Sequence, residues 1–162
     1  MFHAPNNPSE IGGMYSETIR STHRWKSGNG TIGPRRDCIL LDNGLNEPGF
    51  KGLDVARVHL FFSFETDKQT FPCALIHNFH KTFTEPDPDN GMWIVEPEYI
   101  ADGSRSMSVV HVDSIARATH LLPIFRGPSI LPPQLKFSLT LDTFHTFYVN
   151  KYIDYHAFET VF

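Results

Sequence analysis

The stretch GLDVARVHLFFSFETDKQTFPCALIHNF, residues 52–79, decides the fold. Val58, Leu60, Phe62 and Phe64 fall on one side of an extended chain and Arg57, His59, Phe61, Ser63 and Glu65 on the other, the period of two that marks a half-buried strand. Thr66, Asp67, Lys68 and Gln69 form a run with no apolar residue between two β-rich segments, which predicts a turn into a second strand over 71–79. There Phe71, Cys73, Leu75, His77 and Phe79 alternate with Pro72, Ala74, Ile76 and Asn78. Pro72 has no N–H for the ladder and is expected at the start of the strand or on an edge.

Working outward, the short apolar run Cys38-Ile39-Leu40-Leu41 predicts a strand over 37–42, and 43–51 reads as a connecting loop. EPDPDNG, residues 85–91, is a stiff acidic turn ending in Asn-Gly, the dipeptide suited to positive φ, and a strand is expected at 92–95. A polar turn at 101–106 precedes a strand at 107–112. Asp113 then suits the N-cap of one helical turn over 114–118, and 119–125 returns as a strand interrupted or ended at Pro123. Upstream, 14–25 suggests an amphipathic segment anchored by Met14, Ile19 and Trp25, followed by a glycine-rich loop at 27–34. Residues 1–12, rich in proline and asparagine, are expected to be a disordered tail, and 127–133 a surface linker.

Leu141, Phe144, Tyr148, Tyr152 and Tyr155 recur at spacings of three and four, which predicts a long helix over 141–159. Phe147, Val149 and Ile153 carry apolar character beyond that stripe. The helix is therefore expected to be sandwiched or to dock outside the chain, with Phe144, Phe147, Tyr148 and Tyr152 as its docking residues. The sum is a mainly β (α+β) chain: one domain over 13–162, a small antiparallel β-barrel of about six strands with a C-terminal α-helix.

The 162 residues suffice for one core, and a net charge of −4 argues against a chain built as a whole to grip a phosphate backbone. A local basic segment remains: Arg20, Arg24, Lys26, Arg35 and Arg36, with His23 among them, are the candidates for nucleic-acid contact, weighed against a solvated basic segment. Two cysteines, Cys38 and Cys73, are too few for a disulfide framework or zinc ribbon and suit buried thiols of an intracellular protein. No apolar run approaches the roughly 20 residues of a membrane span, and no signal-peptide core opens the chain. No membrane partner is expected.

Several motifs invite chemistry and fail on context. Gly28-Asn29-Gly30-Thr31-Ile32-Gly33 satisfies G-x-G-x-x-G, but no helix opens from it. His77 and His80, three apart on a strand, point to opposite faces, and no carboxylate stands at a diagnostic metal-ligand offset from His111, His120, His145 or His156. Glu98 is twelfth counted from Asp87, as in a calcium loop, yet Met92 stands where the turn glycine belongs. No serine lies in a nucleophile elbow. No catalytic, cofactor-binding or metal-binding residue is assigned, and no cofactor is expected.

Five segments, LDVARVHLFFSF (53–64), PCALIHNF (72–79), DPDNGMWIVEPE (87–98), VHVDSIARATHLLPIF (110–125) and LDTFHTFYVNKYIDYHAFE (141–159), resemble in that order the C-terminal region of Plavaka-type (KDZ/CACTA-like) transposases of basidiomycete fungi. FYVNKYID, residues 147–154, is the most specific part, and the run RSTHRW at 20–25 looks like the stretch that precedes that region. The resemblance implies a transposase-derived accessory domain, since the family's acidic catalytic residues lie upstream and no position here matches them. It also implies a separated or truncated remnant of a mobile element. Asn78 departs from the family pattern, where an aromatic is common. The small barrel is similar, at fold level, to bromo-adjacent homology and related chromatin-reader barrels, which implies a nuclear protein-binding role.

Three functions follow as expectations. The first is a non-catalytic protein-interaction or assembly module with Phe61, His77 and Trp93 as its interaction surface. The second is DNA binding through 20–36, and the third a metal-dependent hydrolase.

Overall fold

The computed structural model describes residues 2–3, 17–26, 28, 30, 32–125, 135–154 and 157–158. Among these run twelve strands: β1 (Phe2–His3), β2 (Thr18–Ile19), β3 (Ser21–Lys26), β4 (Ile32–Arg36), β5 (Cys38–Asp42), β6 (Leu53–Thr66), β7 (Gln69–Lys81), β8 (Ile94–Pro97), β9 (Met107–His111), β10 (Ile115–Thr119), β11 (Leu121–Pro123) and β12 (Phe147–Val149). One short α-helix, α1, covers Thr140–Thr143.

The hairpin at 52–79 is the axis of the molecule. β6 and β7 pair from Val55↔Phe79 to Thr66↔Gln69, and Asp67 and Lys68 turn the chain with φ of 51° and 64°. Two consecutive positive-φ residues are what a two-residue hairpin needs to follow the right-handed twist of its strands. From this axis an antiparallel sheet runs in the order β10-β5-β6-β7-β8-β12-β11. Its two ends, β10 and β11, are consecutive in the chain with only His120 between them, so the sheet curls into a nearly closed barrel. The barrel expected from the sequence is thus present, with more strands than six.

The outer edge of β7 is shared. β9 pairs with Cys73–His77 and β8 with Phe79–Lys81, and between them Asn78 bonds both Ser106 and Glu98 through its backbone. β3 and β4 form a separate two-stranded ribbon, tethered where the Ser21 hydroxyl donates to the His59 carbonyl at 2.6 Å.

β5 explains its own apolar run. Cys38 and Leu40 enter the barrel core with Val55, Phe79, Trp93, Val95, Leu121, Phe147 and Val149, while Ile39 and Leu41 enter a second core with Ile19, Ala56, Val58, Ala74, Ile76, Val112 and Ile115. Both faces are covered, so the strand needs apolar residues at every position.

Among the described residues the C-terminal helix expected at 141–159 is corrected: α1 ends at Thr143, a strand follows at Phe147–Val149, and helical backbone returns only at 157–158. Phe147 and Val149 are fully buried around half-buried Tyr148, a period of two. β12 fills the gap between β8 and β11, and backbone pairing there replaces the helical ladder. The helical spacing of Leu141, Phe144, Tyr148 and Tyr152 competes with this strand period in the same residues, and burial of Phe147 decides between them. Tyr155 lies outside the described residues.

Two smaller expectations change for the same reason. The helical turn at 114–118 is strand β10, with Ile115 and Arg117 buried and Ala116 exposed. A 3-10 turn, Val112–Ser114, comes just before it, and the His111 ring rather than Asp113 caps that turn. The described part of the segment expected at 14–25, residues 17–25, is extended, with Ile19 fully buried, while Met14 lies outside the described residues; β4 occupies the end of the predicted glycine-rich loop. Phe2–His3 pair with Thr18–Ile19. The rest of the expected tail and the 127–133 linker lie outside the described residues.

Candidate functional site

Alternation along β6 breaks at His59. Val58 pairs with Ile76 and Leu60 with Leu75, so His59 is an extra residue in a β-bulge. Leu75 and Ile76 point to opposite faces, hence so do Leu60 and Val58. The face expected to unite Val58 with Leu60, Phe62 and Phe64 is therefore split. Val58 packs in the second core, while Leu60, Phe62 and Phe64 lie with Phe71, Leu75, Met107 and Val109 on the other side of the distal hairpin.

That distal side is apolar and open. Leu60 is 48%, Phe64 48%, Met107 39% and Val109 56% exposed. Phe64 and Phe71 stack at 5.4 Å near the hairpin tip. β9, the outer strand of this face, pairs only with β7 among the described residues. Among the described residues no strand pairs with its far edge, a position that another strand can complete.

At the base of the same face, where it meets the barrel, stands a cationic cluster. Arg57 is 3% exposed, and its Nη1 donates to Asp142 Oδ1 at 3.0 Å, with Arg105 donating to the same oxygen. Arg36, on β4, feels Arg57, Arg105 and Asp142, and burial and the two arginines lower its pKa. His77 is 2% exposed; its Nε2 meets the Glu98 carbonyl at 2.9 Å, and its ring lies 6.3 Å from His59 and 5.7 Å from Tyr99. Desolvation and then the arginines push His59 down to about 4, and desolvation lowers His77 as well, so both rings are neutral at pH 7. Arg57 Nε and His59 Nε2 are buried with no hydrogen-bond partner.

On the opposite side of the sheet lies a cleft of about 510 Å³ lined by Leu41, Asp54, Ile76, Asn78, Lys81 and Ser108, among others. Of its polar groups, Asn78 bonds Ser108 within the cleft and Ser106 outside it, and Lys81 reaches the Lys51 carbonyl.

The structure separates the residues expected to form one interaction surface. His77 and Trp93 are buried, Trp93 stacked on Phe50 at 5.1 Å, and half-buried Phe61 packs against the second core, so the three share no surface. The basic segment is divided too. Arg24 and Lys26 are exposed, Arg20 and Arg35 flank Trp25 with guanidinium carbons 5.5 and 4.8 Å from its ring, Arg35 also pairs with Asp37, and Arg36 turns to the cationic cluster. Of the expected docking helix, Phe147 is interior, Tyr148 donates to Asp87 Oδ2, Phe144 meets Phe125 edge-on at 5.0 Å, and Tyr152 alone is well exposed. Arg57, His59, Arg105 and Asp142 were missed as a group. The available signal was Arg57 itself, a lone charge inside the apolar run LDVARVHLFF.

Among the described residues no three His, Cys, Asp or Glu side chains converge to hold a metal ion, and no helix is long and apolar enough to cross a membrane. No protein-family model, curated protein or solved structure matches this chain.

Proposed function

We propose that this chain is a non-catalytic protein-interaction module that receives an extended segment of another protein on the β6–β7–β9 face. The observation that carries the proposal is the bulge at His59, which turns Leu60 and Phe64 outward beside Met107 and Val109 instead of into a core. Exposed apolar area on a strand layer with an open edge is the arrangement used in strand addition, where backbone bonds supply affinity and alternate side chains supply choice. The partner chemistry is then an extended peptide with apolar residues at every second position. Origin from the C-terminal region of a Plavaka-type transposase belongs to the same proposal and is supported by the five ordered segments that resemble that family; a nuclear setting belongs to it too and is supported by the similarity of the small barrel to chromatin-reader barrels.

Selection of a random peptide display library on the intact chain tests this. Enrichment of alternating apolar sequences that no longer bind Leu60→Lys/Val109→Lys supports the function. No enrichment, or binding indifferent to those substitutions, overturns it.

A further inference from the structure

We infer that Arg36, Arg57 and Arg105 form a binding site for a phosphate dianion. Arg57 and Arg105 both donate to one Asp142 oxygen, Arg36 interacts electrostatically with all three, and Asp142 is the only carboxylate acting on Arg36 and His77 among the described residues, which leaves two positive charges unbalanced. Like charges held together in a partly dry setting repel, and the chain tolerates this without a second acid. A dianion matches the excess where a carboxylate would cancel half of it. Guanidinium forks also suit the geometry of phosphate oxygens.

Buried polar atoms with no partner are in place. Arg57 is nine-tenths buried and more, yet only its Nη1 is engaged by Asp142 and its Nε has no partner; His59 Nε2, on the bulge, has none either. Arg105, a third exposed at its side chain, and half-buried Arg36 bring the cluster to the surface. Neutral His59 and His77 add no charge of their own; Arg36, Arg57, Arg105 and His77 act on His59, and Arg105, Arg57, Asp142 and the Glu98 backbone act on His77.

The site is independent of the docking face, so its test uses no peptide. Inorganic phosphate is titrated into the intact chain at pH 7.5, against sodium chloride of equal ionic strength, with melting temperature and calorimetry as readouts. The expected result is a saturable rise in Tm, binding weakened at least tenfold in Arg36→Gln and in Arg105→Gln, and no change in Arg24→Gln, whose side chain lies outside the cluster. Acetate is expected to bind at least tenfold more weakly. O-phosphoserine distinguishes the source: binding equal to phosphate assigns the site to a phosphoryl group carried on a larger ligand, and loss of binding assigns it to the free ion. A response no larger than that to chloride, one equal for acetate, or one unchanged in both cluster variants overturns the site. The comparison with chloride and acetate at pH 7.5 uses the unsubstituted chain, so it decides the matter even where a variant fails to fold.

Discussion

Val58 and Leu60, two positions apart on β6, point to opposite faces of the sheet: Val58 is fully buried and Leu60 is 48% exposed. A regular strand would put them side by side, and the His59 bulge separates them. The consequence is measurable in stability. Val58→Ala should cost about 2 kcal/mol through lost apolar contact and a residual cavity. Leu60→Thr should stay within about 0.5 kcal/mol. Urea midpoints of the two variants check this, and equal losses would place both residues in a core.

Phe147 belongs to the barrel interior, with its ring 6.1 Å from Phe79 and its backbone in register with Val95 and Pro123. Phe147→Ala should therefore cost about 3–5 kcal/mol. Tyr152→Ala, on an exposed ring, should cost less than about 1 kcal/mol. A helical stripe would make the two losses alike, so paired thermal melts separate the arrangements.

Asp142 holds Arg57 and Arg105 together. Asp142→Asn leaves the buried Arg57 guanidinium without its counter-ion, and the expected loss is about 2–3 kcal/mol. Repulsion among Arg36, Arg57 and Arg105 then goes unopposed, so the loss should be greater at low salt than at high salt. Denaturant melts of the variant at two ionic strengths read both effects.

Stability should fall with acid before the carboxylates titrate. His59 has a folded pKa of about 4 against an ordinary 6.5, lowered first by burial and then by the arginines, and His77 is shifted the same way. The unfolded chain takes up protons between these values while the folded chain does not, so the contribution is complete above about pH 6.5 and lost progressively toward pH 4. Solvent screening of a half-buried ring holds the His59 share to about 1 kcal/mol, a Tm change of roughly 3 °C. His59→Gln should flatten that part of the curve. An identical pH profile in the variant would show that His59 is not the group responsible.

Cys38 is 5% exposed and burial pushes its thiol up to about 12; Cys73 is 6% exposed. Neither should react with a thiol-directed alkylating reagent in the folded chain, since the thiolate is the reactive form and access is blocked. Labelling both only after denaturation is the expected outcome in mass spectrometry, and fast labelling of Cys38 in native buffer would contradict its burial.

What could be read from the residues alone was the local grammar: the hairpin over 52–79, a polar turn over 66–69, a strand over 37–42, and a mainly β barrel. Alternation and turn composition are properties of neighbours in sequence, and there the chain speaks for itself. Three things were settled only by tertiary contact. Phe147 to Val149 satisfied helical and extended spacing at once, and the open place between β8 and β11 selected the strand. The bulge at His59 left no mark in the pattern, because Leu60, Phe62 and Phe64 look equally suited to an interior or an exposed face. Arg57, Arg105 and Asp142, as much as 85 positions apart, meet only because the barrel closes, and no sequence spacing encodes a contact made by folding.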